Sequence, residues 1–248
     1  MLQAVLFIVV YILVTTVLGT TAIVIGIVDL RGKMIAKLAR LWAMILLVVS
    51  GIRYRVTGLE YLDRRENYIF ASNHESSFDV PLVFGLLPYH IVSIAKIELK
   101  KVPILGWAMM GARHIFVDRH DSNRAVVSLK EASNSLARNP RSIILFPEGT
   151  RSPDGEIHQF KKGGLGLALD LGMAVVPVAQ CGTRDVLAKK SLWLKEGEVE
   201  MRLGRPIDPS LWQGKSKKEF ADHVRTEVVS LKNGWLADNA PQSGTATA

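Results

Sequence analysis

The sequence predicts an α/β fold, a largely parallel or mixed sheet flanked by helices, preceded by an N-terminal membrane-associated helical segment. Three observations carry that expectation. From Arg53 onward, short β-type runs alternate with runs of helical periodicity, the pattern of a sheet with helices packed on its faces. Before Arg53, Leu2 to Val28 carries no charged side chain, which sets aside a plain soluble protein. The length of 248 residues suffices for a sizeable core without disulfide or metal staples.

The N-terminal elements come first. As a helix, Leu2 to Val28 would be about 40 Å long, more than the roughly 30 Å of bilayer hydrocarbon. It lacks the basic start and the A-x-A-like end of a cleaved signal, so a retained anchor is expected. The charges that follow, Asp29, Arg31, Lys33, Lys37 and Arg40, are mostly basic and place the next segment on the cytoplasmic side of a membrane. Lys33, Lys37 and Arg40 share one helix face suited to anionic headgroups or to water. The apolar run Leu41 to Ile52 that follows this face is too short to span and reads as a buried, re-entrant or interfacial helix. Residues 1–52 thus form either one spanning helix with an interfacial one, or a helix pair dipping into one leaflet.

Beyond residue 52, strands are expected at Arg53–Thr57, Tyr68–Ser72, Ile91–Ala95, His114–Val117, Ser142–Phe146, Ala174–Ala179 and Val199–Leu203. Asp79–Leu87 reads as a helix with Asp79 as cap or first-turn acid and Pro88 as stop. Ser122–Asn139 keeps Ala125, Val126, Leu129, Ala132 and Leu136 on one face. Ser216–Asn233 opens with the capping box Ser216 and Glu219 and ends at Gly234. Residues 53–235 form one domain, and 236–248 are a tail, small and polar from Asn239, expected to be disordered.

Composition narrows the chemistry. Lys and Arg number 31 against 23 Asp and Glu, a net charge of +8, which favours an anionic partner: phospholipid headgroups, a phosphorylated substrate or an acidic carrier. It does not by itself imply nucleic acid. Cys181 is the single cysteine, so an intramolecular disulfide or a multi-thiolate zinc site is excluded.

Two polar constellations follow strands, where open α/β sheets place their sites. In Asn73-His74-Glu75-Ser76-Ser77-Phe78-Asp79, His74 can act as a general base if Asp79 folds back to orient it; otherwise Asp79 caps a helix. Phe146-Pro147-Glu148-Gly149-Thr150-Arg151-Ser152 offers a carboxylate, a glycine for close backbone approach and an arginine fork suited to phosphate. Asp118-Arg119 ends another strand and is either a binding pair or a surface ion pair. Pro103 to Met110 could line an acyl slot, touch lipid or form a core helix. Gly163-Gly164-Leu165-Gly166 fits helix packing better than a dinucleotide fingerprint, and Cys181 fits a core position better than a nucleophile.

Together these pieces resemble the glycerolipid acyltransferase family, in particular its bacterial-type 1-acylglycerol-3-phosphate acyltransferases, over roughly Tyr54 to Arg205. The family's Asn-His-x4-Asp motif stands at Asn73–Asp79. Its Phe-x-x-Arg motif looks like Phe116–Arg119, its Phe-Pro-Glu-Gly-Thr-Arg-Ser motif is intact at Phe146–Ser152, and its apolar Val-Pro-Val strand looks like Val176–Val178. The resemblance implies an acyltransferase domain at 53–235 that acylates 1-acyl-glycerol-3-phosphate (lysophosphatidate) from acyl-CoA or acyl-carrier protein, without cofactor or metal, at a membrane. It implies His74 as the base, Asp79 as its partner, and Arg119, Glu148, Gly149, Thr150 and Arg151 as the acceptor-binding set; Lys161 and, more loosely, Lys162 are added to it as candidates. Other acceptors in the same class are glycerol 3-phosphate, a lysophospholipid or a lyso-ornithine lipid. A membrane-bound thioesterase, with His74 activating water, is the alternative from another class.

Overall fold

The computed structural model describes residues 2–189, 191 and 193–240. Seven strands form one sheet in the order β1 (Arg53–Thr57), β7 (Glu198–Leu203), β6 (Val175–Cys181), β2 (Ile69–Ser72), β5 (Ser142–Leu145), β3 (Ile91–Lys96), β4 (Ile115–Val117). Every neighbouring pair is parallel except β6 with β7. The sheet is therefore mixed, with its five neighbouring strands β6, β2, β5, β3 and β4 all ending on one side. β2, β5 and β6 are buried throughout, as expected for strands covered on both faces.

Alternation along the central strands divides the core in two. Ile69, Ala71, Ile143, Leu145 and Val175 pack against α5 (Ser122–Arg138), α6 (Lys162–Leu171) and α8 (Lys217–Asp238). Phe70, Ile144, Val176 and Val178 face the other way, towards Val83 of α3 (Asp79–Leu86) and Leu87 just after it. The period of two places one residue in each layer. Pro177 sits in β6 without loss to the sheet. Its carbonyl accepts from Gly204 N at 2.8 Å just past the last β6–β7 pair, so its missing N–H faces the irregular stretch between that pair and the Val175–Ile207 bridge. Between the strands lie two further short helices, α4 (Leu105–Gly111) and α7 (Thr183–Val186).

The N-terminal segment is a hairpin of α1 (Leu2–Ile25) and α2 (Lys33–Ser50), and α2 carries both the basic stretch and the apolar run. Helix α2 starts earlier than the apolar run because Asp29 Oδ2 accepts from the N–H groups of Met34 (2.7 Å) and Ile35 (3.1 Å), satisfying first-turn donors that would otherwise be unpaired. Its inner face, Ala43, Leu46 and Leu47, is buried. Leu46 and Leu47 pack with Phe7 of α1 and with Phe78 and Leu82 at α3. Arg40 is exposed but also bonds inward: its Nη1 donates to Leu87 O at 2.8 Å at the C-terminal end of α3. Lys33 and Lys37 remain exposed.

Helix α8 opens with the capping box, Glu219 N to Ser216 Oγ at 3.1 Å and Ser216 N to Glu219 Oε2 at 2.8 Å. It does not stop at Gly234 but runs through residues 236–238, which the sequence assigned to the tail. Trp235 packs on the core and Arg202 binds Asp238 at 2.7 Å, contacts that outweigh the roughly 1 kcal/mol cost of a helical glycine. The rest of the expected tail, 241–248, lies outside the described residues.

Candidate active site

Three loops converge beyond the carboxyl ends of β2, β5 and β4. The first, after β2, is fastened from below. Asn73 Oδ1 accepts from Gln180 N at 2.7 Å, and Asn73 Nδ2 donates to Gln180 O at 2.9 Å and to Glu75 Oε1 at 2.8 Å, joining the exit of β2 to β6. Glu75 is buried and forms an ion pair with Lys232 of α8, which also donates to Gly155 O at 2.6 Å. Burial raises the Glu75 carboxyl above its ordinary value, and Lys232 and Asn73 counter that.

Within this frame the chain turns tightly enough for Asp79 to reach back to His74. Asp79 Oδ2 lies 2.7 Å from His74 Nδ1 and accepts from the N–H groups of Glu75 (2.9 Å) and Ser76 (3.0 Å). Asp79 is the first residue of α3 but does not cap it; the N-cap position is Phe78, without a side-chain bond. The carboxylate only accepts, so Nδ1 carries the proton and Nε2 keeps its lone pair. The imidazole lies on the Phe146 ring, centroids 4.1 Å apart and planes 21° apart, which fixes its orientation. Phe146 falls just outside β5, whose sequence pattern had included it.

The second loop follows β5 and holds His74 by its backbone. Glu148 Oε1 accepts from His74 N at 3.0 Å, and Ser152 N donates to His74 O at 2.7 Å. The other Glu148 oxygen accepts from His158 N at 3.1 Å. Glu148, expected among the acceptor-binding residues, thus has both oxygens engaged within the protein and acts on the position of His74. Its carboxyl is raised by burial, against the two N–H bonds.

Gly149 adopts φ 79°, which disfavours any side chain, and a Cβ there would lie 2.9 Å from Lys161 Nζ, so the lysine tip stands against this backbone. Arg119, two residues past β4, donates to Gly149 O, which brings the third loop onto the second. Arg119 is not the partner of Asp118, whose carboxylate faces Arg124 at 3.7 Å and accepts from His120 N. Among the described residues Arg119 forms no ion pair; burial lowers its pKa and Glu98 opposes this. Arg119, Gly149 and Lys161 therefore stand together. Arg151 stands across from them, donating to Ser77 Oγ on the His74 loop, while Lys189 holds its carbonyl at 2.6 Å. Thr150 and Lys162 are exposed nearby in the chain and contact none of these groups among the described hydrogen bonds.

The remaining sequence features fall elsewhere. Gly164 and Gly166 lie in α6, where a Cβ would meet Leu145 at 2.7 Å and Lys217 at 2.9 Å, so they serve helix packing. Cys181 is buried at the end of β6 and its thiol is pushed up to about 12, chiefly by burial. Sequence reasoning missed Phe146 as the surface under His74, and missed the Glu75–Lys232 pair, for which no local signal exists.

A family model described as Acyltransferase matches residues 53–180. A 1-acyl-sn-glycerol-3-phosphate acyltransferase from Cocos nucifera is 31% identical over 198 residues, covering 80% of this chain and 61% of that protein. The alpha form from Ovis aries is 29% identical over 217 residues, 87% of this chain and 76% of that one. The crystal structure of the 1-acyl-sn-glycerophosphate acyltransferase PlsC from Thermotoga maritima superposes with a TM-score of 0.80 at 28% identity, covering 98% of this chain and 97% of the other. The chain spans less than two thirds of the coconut protein, yet nearly all of the bacterial one. The matched span contains His74, Asp79, Arg119 and Glu148 to Arg151 in one site, and the chain belongs to the acyltransferase family.

Proposed function

We propose that this protein transfers an acyl group from an acyl thioester to the free hydroxyl of 1-acyl-glycerol-3-phosphate, forming phosphatidate. The observation that carries this reading is the His74–Asp79 pair, with Nδ1 held by the carboxylate and Nε2 without a hydrogen-bond partner among the described residues. Nε2 takes the proton of the acceptor hydroxyl as its oxygen attacks the thioester carbonyl. The tetrahedral adduct then expels the thiolate, which takes the proton back from Nε2, so ester and thiol form and the imidazole is restored. Asp79 fixes the tautomer and stabilises the transient imidazolium. Arg119, Lys161 and Arg151 supply charged donors for the acceptor phosphate. Relatives named for this reaction support the assignment of acceptor.

The reaction would take place at a bilayer, which both acceptor and product inhabit. Helix α1 is fastened to the rest of the protein along its length: Gln3 donates to Ser50 O at 2.7 Å, Trp42 donates to Thr15 at 3.0 Å, and Ala22 is buried with Ile35 and Ala112. A helix so attached could cross a membrane only by carrying α2 and α4 through hydrocarbon. This supports the dipping hairpin over the spanning helix, with Arg31, Lys33 and Lys37 at the headgroups and the domain on the cytoplasmic side.

The test is acyl transfer by detergent-purified protein offered lysophosphatidate, glycerol 3-phosphate, a lysophospholipid and a lyso-ornithine lipid, each with acyl-CoA and acyl-carrier protein. Transfer to lysophosphatidate that is lost in His74→Ala is the expected result. Thioester cleavage at the same rate without any acceptor would replace the reading with a thioesterase.

A further inference from the structure

Helix α4 and the turn before it are unexplained by the site. The helix is seven residues long, yet Trp107 is 50% exposed, and Val102 and Met110 are exposed as well. Lys100 and Lys101 precede it and Arg113 follows it, all exposed. Its entry is strained: Ile104, a β-branched residue, has φ 63° and ψ −62°, and Arg113 at its exit has φ 63°. Such conformations cost on the order of 1–3 kcal/mol and persist only where surrounding contacts hold them.

At Ile104 those contacts are with α1, while the Arg113 carbonyl is held by Arg141 at 3.3 Å. A Cβ on Gly19 would lie 2.5 Å from Ile104 Cγ2, and one on Gly26 would lie 3.3 Å from the Gly111 Cα, so glycines let α4 lie directly on the C-terminal half of α1. Ala22 of α1, Ala108 and Ala112 complete the seam. The outer surface of α1 nearby is apolar and open at Val17 and Val24. Whatever depth this half of α1 takes in a bilayer, α4 shares. The exposed indole and thioether then continue the apolar surface of α1, and lysine and arginine stand at both ends, where long cationic side chains reach headgroups. On its inner side the same segment approaches the site. Lys100 Nζ sits 5.1 Å above the Phe116 ring of β4, and the chain reaches Arg119 two residues after that strand ends.

Resting on the membrane association proposed above, we infer that α4 with the Lys100–Pro103 turn is a second bilayer-docking surface, which seats on anionic phospholipid beside α1 and delivers the acceptor towards Arg119. An acidic carrier protein would also suit the lysines. Continuity with the apolar face of α1 favours lipid, because a soluble protein covering Trp107 would have to share that ground with the bilayer.

The experiment uses the full chain with vesicles of phosphatidylcholine and phosphatidylglycerol whose acyl chains are brominated. Bromine is expected to quench wild-type tryptophan fluorescence more than that of Trp107→Phe, and the difference reports lipid contact at Trp107 without any turnover. This arm decides the inference even if no acyl transfer is found. In the second arm, the double substitution Trp107→Asp and Met110→Asp is expected to raise KM for long-chain lysophosphatidate in vesicles about tenfold, a loss of about 1.4 kcal/mol. Activity on a short-chain, water-soluble acceptor should be unchanged, which also shows that the variant folds. Equal quenching in wild type and Trp107→Phe would overturn the inference, as would equal loss on both acceptors. A defect seen only with a carrier-protein donor would overturn it in favour of protein docking.

Discussion

The loop after β2 and the cationic rim around it are built on opposite plans. In the loop, Asn73, Glu75, Ser76 and Asp79 are buried and hydrogen-bonded to the backbone or to each other, and His74 is gripped at N–H, C=O, Nδ1 and ring face. In the rim, Arg119, Arg151 and Lys161 are at least partly open and hold only a few of their donors on neutral oxygens. Chemistry that depends on one proton at one atom needs a group that cannot wander. Phosphate recognition needs charged donors whose bonds are incomplete until the ligand arrives.

The strongest way to break this contrast is His74→Ala. It should lower kcat by about 10²–10⁴-fold while the thermal midpoint stays near wild type, because the backbone grip on residue 74 remains. A comparable fall in KM specificity instead of kcat would show that the loop binds more than it reacts. Arg119→Ala should act through the rim, raising KM for a phosphate-bearing acceptor about 10–100-fold with a smaller change in kcat, as expected for losing a charged hydrogen bond of about 1.5–3 kcal/mol.

Glu148→Gln tests whether that residue belongs to the loop or to the rim. A carboxamide can accept from only one of the two N–H groups, so chemical denaturation should show a loss of about 1–3 kcal/mol, with kcat falling and KM little changed. The pH dependence adds a sign. Burial holds the Glu148 carboxyl above its ordinary value, so the native state binds more protons than the unfolded chain between those two values. The stability contributed by this group therefore falls as pH rises through that window, and the difference between wild type and Glu148→Gln should follow it. The smallest effect is expected from Phe146→Leu. Losing the ring under His74 should cost about 0.5–1.5 kcal/mol, a few-fold in kcat, with the acidic limb of the rate profile as a second readout of imidazole placement.

Much of this arrangement is legible in the sequence because it is local. His74 and Asp79 are five residues apart, and a strand exit followed by a helix start nearly dictates their meeting. The strands β2, β5 and β6 declare themselves by unbroken apolar runs, and Ser216 with Glu219 marks the start of α8. The illegible parts are set by distant partners. Nothing near Glu148 shows that its oxygens will face the N–H of residue 74, and nothing near Arg40 shows the carbonyl of Leu87. Nothing in the composition of α2 shows where it starts, because its first turn answers to the Asp29 carboxylate upstream and its inner face to α3. Gly234 carries a stop signal that Trp235 and Asp238 override by tertiary contact.

The Glu75–Lys232 pair has a consequence in time. The two residues are 157 positions apart, and at common synthesis rates of about 5–20 residues per second the lysine emerges roughly 8–30 seconds after the glutamate. Until α8 is made and docks, the segment beside His74 contains a carboxylate with no cation to accompany it into the core, which opposes closure of that loop. Nascent chains arrested before residue 232 should therefore reach the bilayer through α1 and α2 yet transfer no acyl groups. Docking of α8 therefore acts as a completion signal for a loop made more than a hundred residues earlier.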